Sequence, residues 1–113
     1  MTTILNDAQR ALLLANGRAL TANPELDPAP VVKLFLPDGN AVWLLSELHA
    51  DGIAFGLCDL GLGSPELGYV HFSALEALRG RDGRPLECDT AFIPSKPLSA
   101  YAWAARLAGR IVA

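Results

Sequence analysis

The spacing of apolar residues along the chain changes from a helical to a strand-like pattern near residue 31. Before that point, apolar residues recur three or four positions apart, at Ala8, Leu12, Ala15 and Ala19. This spacing places them on one face of an amphipathic helix. Asn6 and Gln9 have the spacing of a capping box, so we predict a helix over residues 6 to 21. Three prolines between residues 24 and 30 indicate a linker over residues 22 to 30.

From residue 31 onward, short apolar runs alternate with turn sequences. The run VVKLFL is separated from AVWLLSEL by PDGN, and AVWLLSEL is separated from GIAFGLCDL by HADG. A glycine-rich loop then leads to LGYVHF. Short turns between strand-like runs are typical of β-hairpins. The pattern therefore predicts four antiparallel strands in a meander.

The remaining segments add two helices and one further strand. In SALEALRG, Ser73 and Glu76 have capping-box spacing and Gly80 stands where a helix would end, which predicts a short helix. LECDTAFI is strand-like, and LSAYAWAARLAGRI predicts a last helix with Ser99 as its N-cap. We therefore expect a single α+β domain over residues 1 to 113, with an antiparallel β-meander of four to five strands. An N-terminal helix, a short helix after strand four and a C-terminal helix complete it.

The turn positions also predict how the strands pair. Turns at 37–40, 49–52 and 61–66 pair Leu36 with Ala41, Leu48 with Ile53, and Leu60 with Leu67. Because side chains alternate across a strand, one face of the sheet then carries Trp43, Glu47, Cys58, Tyr69 and His71. That face is too apolar to lie bare in water, so we expect a terminal helix to cover it. The alternative is a partly open groove at Trp43, Tyr69 and His71.

Composition and charge narrow the class of protein. Apolar residues make up 51% of the chain and charged residues 19%, which predicts a folded globular protein. The formal net charge of −3 argues against a dedicated nucleic-acid binder, which usually needs a basic face. The apolar runs are too short for a membrane span, and the first residues show no secretory signal. We therefore expect a cytoplasmic protein with no membrane segment.

The glycine-rich segment FGLCDLGLGSPELGYV, residues 55 to 70, resembles a phosphate-binding loop at first sight. A dinucleotide fingerprint would need a glycine where Glu66 stands, and such loops lead into a helix instead of a strand. We interpret the segment as a hairpin loop and expect no cofactor. Inside the strands, the predicted register places Gly56 opposite His71, where a glycine accommodates a bulge or a large neighbour.

The side chains that could perform chemistry form no complete site. The cysteines and histidines lack the short spacings of zinc ligands, so we expect no metal site from His49, Cys58, His71 and Cys88. For an enzyme acting on nucleic acid, such as a metal-dependent nuclease, the candidate residues are Asp59, Glu66, His71 and Asp89, with Glu87 beside the last. A third possibility is DNA binding through a basic turn that contains Arg79, Arg81 and Arg84.

Several segments of the chain resemble one protein family. They are the Trp43 strand, FGLCDLG, ELGYVHFSALEAL and the P-x-K-P sequence before the last helix. These motifs cover most of residues 31 to 105 and make the chain similar to the DUF2958 family, with a core over 31 to 113 and the N-terminal helix outside it. That family has no known function and occurs largely on plasmids and other mobile elements of bacteria. The resemblance implies an accessory role, such as plasmid maintenance, DNA processing or countering host defences, and it implies no catalytic residue.

We therefore expect a non-enzymatic module that binds a protein partner through a surface containing Trp43, Tyr69 and Glu66. The identity of the partner is open. A nucleic-acid-processing enzyme and a DNA-binding protein are the alternatives. A monomer and a homodimer are both compatible with the pattern. The homodimer is considered because an exposed edge strand needs protection.

Overall fold

The computed structural model describes residues 4–113. In chain order the elements are α1 (Asp7–Ala22), β1 (Val32–Phe35), β2 (Val42–Leu48), β3 (Ile53–Asp59), β4 (Glu66–His71), α2 (Phe72–Ala77), β5 (Glu87–Cys88) and α3 (Leu98–Ala108). The strands form one antiparallel sheet in the order β4-β3-β2-β1-β5. The predicted α+β class and order of elements are confirmed. Within residues 4–113, no helix has the length and apolar character needed to cross a bilayer.

A long helix lies on each face of the sheet. The face packed against α1, which we call the α1 face, buries Val32, Leu34, Trp43 and Leu45 together with Leu13 of the helix. The opposite face, which we call the α3 face, buries Leu44 and Leu57 together with Tyr101 and Ala105. The N-terminal helix, with Phe72 and Leu75 of α2 beside it, thus covers part of the apolar face for which the sequence predicts a cover.

α1 approaches β2 closely because residue 17 is glycine. A Cβ built on Gly17 would lie only 2.3 Å from the main-chain oxygen of Leu48. On the same helix, the Asn16 amide donates a hydrogen bond of 2.8 Å to the carbonyl oxygen of Ser46. The start of the helix has the predicted capping box, in which Asn6 and Gln9 exchange two side-chain to main-chain hydrogen bonds. Small residues and specific polar contacts therefore hold α1 against the sheet.

A β-bulge at Ser46 changes the predicted pairing of β2 with β3. The first half of β2 follows the predicted register, whereas Leu48 lies opposite Ala54 and not opposite Ile53. A bulge inserts one extra residue, so the side chains that follow it exchange faces. Leu48 accordingly packs in the α1 face, and Glu47 turns to the α3 face, contrary to the prediction. The Asn16 bond described above satisfies the carbonyl that the bulge leaves unpaired.

β4 pairs with β3 three positions away from the predicted register. Leu67 lies opposite Leu57 and not opposite Leu60. Because the offset is odd, every side chain of β4 lies on the face opposite to the predicted one. The α1 face receives Glu66, Gly68 and Val70, and the α3 face receives Leu67, Tyr69 and His71.

The wide loop between β3 and β4 explains this offset. Pairing stops at Cys58 opposite Glu66, so the connection is longer than the turn predicted from the sequence. Gly61 and Gly63 have φ angles of 80° and 86°, which glycine adopts without strain. The Asp59 carboxylate accepts the N–H of Gly61 at 2.8 Å and turns the chain at the end of β3.

The later elements begin and end differently from the prediction. α2 begins at Phe72 with His71 as its N-cap and no side-chain capping bond, so the predicted Ser73 cap is wrong. The chain passes directly from β4 into α2. The N–H of Phe72, the first residue of α2, still bonds to the Gly52 carbonyl oxygen at 2.8 Å. α3 begins after Pro97, and the hydroxyl of Ser99, the predicted cap, instead bonds to the Asp27 carboxylate. β5 is limited to two residues of the predicted strand.

The segment after α3 is held by a buried carboxylate. Gly109 ends the helix in the left-handed conformation, with a φ of 75°. Asp59 then accepts the N–H of Ile111 at 2.8 Å with one carboxylate oxygen, while its other oxygen holds Gly61. Asp59 is only 3% exposed, so these two bonds satisfy a buried charged group.

The substitution Gly17→Ala tests the contact between α1 and β2. We expect the free energy of unfolding to fall by roughly 1 to 3 kcal/mol, because the new methyl group overlaps the Leu48 carbonyl and forces α1 outward. Helix propensity alone would change it by about 1 kcal/mol in the stabilising direction. Urea denaturation followed by circular dichroism measures the difference, with Arg18→Ala on the exposed side of α1 as the control. A Gly17→Ala protein as stable as the wild type would contradict the contact.

The substitution Asp59→Asn tests the role of the buried carboxylate. An amide keeps the shape but replaces one acceptor oxygen by a donor, which leaves the Gly61 or Ile111 N–H without its partner. We expect a loss of roughly 1 to 3 kcal/mol in urea denaturation at neutral pH. Asp51→Asn is the matched control, because Asp51 is exposed and accepts a single N–H, that of Ile53. Equal effects of the two substitutions would be inconsistent with a structural role for Asp59.

Candidate functional site

A groove of about 260 Å³ lies on the α1 face, over β3 and β4. We call it the β3–β4 groove and define it by the lining residues Trp43, Gly56, Cys58, Glu66, Gly68 and Tyr69. α1 packs on β2, α2 packs beside the end of β4 through Phe72 and Leu75, and no residue of either helix lines the groove. The groove therefore opens at the side of the sheet that ends in β4.

Two glycines that lie directly opposite each other form the floor of the groove. Gly56 in β3 pairs with Gly68 in β4, not with His71 as the predicted register had it. Gly56 is required by packing, because a Cβ at this position would lie 2.0 Å from the main-chain oxygen of Leu44. A Cβ at Gly68 would meet no atom within 4 Å. The floor is thus flat, and one of its two glycines faces open space.

The inner wall of the groove is apolar and uncharged. Trp43 is only 4% exposed, and the half-buried Cys58 lies opposite it on β3. Burial raises the pKa of the Cys58 thiol, the nearby Asp59 carboxylate raises it further, and a hydrogen bond with the side chain of Trp43 lowers it in part. Because the ordinary value is already near 9.0, the thiol is protonated at neutral pH. Cys58 therefore lines the groove as a small neutral side chain.

The three residues predicted to bind a partner all line this groove, in different ways. Trp43 lies at its inner end, and Glu66 is exposed at its rim, opposite Cys58. Tyr69 lines it from β4, but its side chain turns to the α3 face, where its ring lies 4.8 Å from that of Phe55. Tyr69 is 71% exposed. The predicted common face of Trp43, Tyr69 and His71 is therefore wrong, because Tyr69 and His71 lie on the other side of the sheet from Trp43.

The outer edge of β4 has no neighbouring strand among the described residues. The Phe72 N–H bonds to Gly52, and in an antiparallel ladder every second residue makes such bonds to the same neighbour. The even-numbered residues of β4 therefore bond to β3. The main-chain N–H and C=O groups of Leu67, Tyr69 and His71 point away from β3. The groove is bordered by a row of main-chain donors and acceptors available to another strand.

The four residues considered for catalysis do not come together. Asp59 and Asp89 line one cavity of about 750 Å³ at the far end of β2 and β3, whereas Glu66 lies at the rim of the β3–β4 groove and His71 at the end of β4. Both oxygens of Asp59 already accept main-chain N–H groups. Asp89 lies 3.6 Å from the Lys33 ammonium group. Across residues 4–113, no group of three or more His, Cys, Asp and Glu side chains is arranged to hold a metal ion.

One close pair of ionisable side chains has no signal in the sequence. His49 Nε2 lies 2.5 Å from the Glu47 carboxylate, in a cavity of about 410 Å³ that Tyr69 also lines. The bulge at Ser46 places Glu47 there, and no pattern in the apolar residues signalled that bulge. A carboxylate in this position holds the imidazole ring and sets which nitrogen carries the proton.

Two of the three arginines in the basic turn near residue 80 contact other groups of the chain. Arg79 donates to the carbonyl oxygens of Glu76 and Leu78, which close the end of α2. Arg84 lies 3.7 Å from the Asp82 carboxylate and 3.5 Å from that of Glu87. The positive charge of Arg84 is therefore balanced by neighbouring carboxylates, whereas the partners of Arg79 are neutral carbonyl groups.

Comparison with known proteins identifies the family. A family model described as a protein of unknown function, DUF2958, matches residues 4–112. The match includes α1 as well as the sheet, and so extends beyond the motifs found between residues 31 and 105. No curated protein and no solved structure matched the chain. The chain therefore belongs to the DUF2958 family, whose description assigns no function.

Proposed function

We propose that this chain is a non-enzymatic accessory protein that binds a protein partner through the β3–β4 groove and the open edge of β4. We expect Trp43 and Glu66 to contact the partner with their side chains, and Tyr69 to contact it through its outward main-chain groups. The observation that carries the proposal is that an apolar groove opens directly onto an edge strand whose outward main-chain groups have no neighbouring strand. On the strength of the family resemblance, we place this role in the cytoplasm of bacteria that carry plasmids or other mobile elements, in maintenance or in countering host defences.

The edge of β4 favours binding of an extended segment. Natural edge strands are commonly protected by lysine, proline, a bulge or a covering loop. β4 contains no lysine or proline, and its pairing with β3 runs without a bulge from Ile53–His71 to Cys58–Glu66. A partner strand added to it would gain hydrogen bonds to Leu67, Tyr69 and His71, while side-chain contacts in the groove supply specificity. This is the mode of binding that we propose.

The alternatives receive less support from the arrangement of side chains. A nuclease would need acidic residues close enough to share a metal ion, and Asp59, Glu66 and Asp89 are distributed over two separate cavities. DNA binding would need free positive charge, and the charge of Arg84 is already balanced by the Asp82 and Glu87 carboxylates. The net charge of −3 opposes DNA binding as well.

The substitution Tyr69→Pro tests whether β4 binds its partner through the main chain. The Tyr69 N–H points away from β3, and proline is accepted at edge strands in that position. We therefore expect a folded protein that no longer accepts a strand at this edge. Affinity capture from a plasmid-bearing bacterial host, with the wild type and the variant as parallel baits, measures which proteins are lost.

Tyr69→Thr is the matched control, because it removes the ring but keeps the N–H. A stoichiometric partner that binds the wild type and Tyr69→Thr but not Tyr69→Pro supports the proposal. Equal recovery of that partner with all three baits, each shown to be folded by circular dichroism, would overturn it.

A further inference from the structure

The α1 face has one row of cross-strand positions without side chains, and this row runs inward from the open edge. Gly68 and Gly56 lie side by side in β4 and β3, and Leu45 in β2 closes the inner end. Rows with side chains border it on both sides: Cys58 with Glu66 on one side, and Ala54 with Val70 on the other. We call this row the glycine lane. The lane spans two strands, β4 and β3, and ends at Leu45 of β2. Neighbouring strands lie about 4.8 Å apart.

The fold explains only one of the two glycines in the lane. Gly56 is enforced by its contact with the Leu44 carbonyl. Gly68 has open space where its Cβ would be, and no positive φ angle requires glycine there. A glycine inside a strand weakens the strand, and a larger residue would pack without a clash. Gly68 therefore leaves a slot that this chain does not fill.

Resting on the proposed function, we infer that the partner segment is an extended strand carrying an aromatic side chain that lies over Gly68 and a lysine or arginine that faces Glu66. In a strand paired antiparallel with β4, the residue opposite Gly68 presents its side chain on the α1 face, directly into the glycine lane. Gly68 bonds to β3, so toward the new strand it occupies a non-hydrogen-bonded position, where facing side chains approach most closely. A flat ring fits the flat floor of the groove, which Trp43 also lines.

The charge of Glu66 at the rim of the groove is the reason for expecting a lysine or arginine in the partner segment. Glu66 lies two residues from Gly68 on the same face, so the partner residue two positions from the aromatic lies opposite it. The Glu66 carboxylate is exposed, and no cation of residues 4–113 pairs with it. A lysine or arginine at that position of the partner complements this charge, and an acidic residue there is repelled.

A second copy of this chain does not supply the aromatic side chain. When two β4 strands pair antiparallel, residues that face each other share one face of the joined sheet. The residues of β4 on the α1 face are Glu66, Gly68 and Val70, none of them aromatic. Self-pairing in any such register therefore leaves the glycine lane empty. The lane fits a different chain better than a copy of this one.

The experiment uses three short synthetic peptides with blocked ends. The first alternates threonine with valine, tryptophan and lysine, so that one face carries the aromatic and basic residues in the required order. The second replaces the tryptophan by threonine, and the third replaces the lysine by glutamate. We follow backbone amide shifts by NMR titration of the wild-type protein, expecting changes in β4 and the groove. We expect binding of the second peptide to be weaker by about tenfold and that of the third by about threefold to tenfold.

The variant Gly68→Val tests whether the tryptophan of the peptide lies in the glycine lane. Valine is a good strand former and its Cβ meets open space, so we expect stability to be kept or raised. Its side chain fills the lane, so we expect the preference for the tryptophan peptide to disappear. Glu66→Gln should leave the tryptophan preference intact and remove the discrimination between lysine and glutamate. Equal binding of all three peptides to the wild type, no binding of the first peptide, or an unchanged tryptophan preference in Gly68→Val would each overturn the inference.

A second readout reports directly on the groove. Cys58 lies in it and Cys88 lies away from it, so the two thiols can be compared within one sample by mass spectrometry after alkylation. The raised pKa of Cys58 calls for mildly alkaline buffer, where more thiolate is present. The tryptophan peptide should slow alkylation of Cys58 severalfold and leave Cys88 unchanged, and equal protection of both thiols would count against the inference.

The outcomes also separate this inference from the proposed function. If a natural partner is lost from Tyr69→Pro but still binds Gly68→Val normally, the edge is a binding site and the aromatic motif is wrong. If Tyr69→Pro has no effect on any partner, the proposed function itself fails. Size-exclusion chromatography with light scattering that shows a dimer broken by Tyr69→Pro would assign the edge to a second copy and overturn the inference.

Discussion

The packing of α1 on β2 is the contact that determines which part of the sheet is covered and which part stays open. A helix with its side chains is about 10 to 12 Å wide, close to the width of two strands. Gly17 draws α1 onto the Leu48 carbonyl, and Asn16 holds the bulge at Ser46. The helix therefore lies over β2, and none of its residues lines the groove over Gly56 and Gly68. The candidate groove exists because the helix is anchored away from it.

The groove combines features that oppose strand stability with features that favour recognition. A glycine in the middle of β4 and an open outer edge both reduce the stability of this part of the sheet. The same two features provide a flat surface and a set of main-chain hydrogen-bonding groups for another chain. Binding surfaces of this kind are less stable on their own than the interior strands, and they gain stability when occupied.

The local elements could be predicted from the sequence because they depend on local chemistry. The N-terminal helix, its capping box at Asn6 and Gln9 and the first hairpin appear in the structure as predicted. The apolar row of that helix is a different one, because Ala8, Leu12 and Ala19 are exposed and the buried residues are Leu13 and Gly17. The errors arose where distant contacts decide the outcome. The bulge at Ser46 depends on Asn16, thirty residues earlier in the chain, and the end of β3 depends on Asp59 and its bond to Ile111. Neither contact leaves a periodic signal in the sequence, and each changes which side chains share a face.

The candidate site was predictable only as far as it depends on residue types and not on distant contacts. Trp43, Glu66 and Tyr69 do border one groove, although Tyr69 turns its ring to the opposite face. Their residue types suggested binding, whereas the expected common face of Trp43 and Tyr69 depended on a strand register that the sequence did not determine. The sequence does not distinguish Gly68 from Gly56, since they differ in the space around them, which is open at Gly68 and packed at Gly56.

The wide loop over residues 60–65 has a consequence for sequence variation. Surface loops usually tolerate insertions and deletions at small free-energy cost. Here the length of the loop determines which residues of β4 lie on each face of the sheet. A one-residue slip of β4 along β3 would exchange the residues on its two faces. Such a slip would turn Tyr69 toward the groove and carry Gly68 and Glu66 to the other side of the sheet. In this fold, the number of residues in a loop selects which chemical surface the neighbouring strand presents, and a single inserted residue could replace a binding surface while leaving the fold intact.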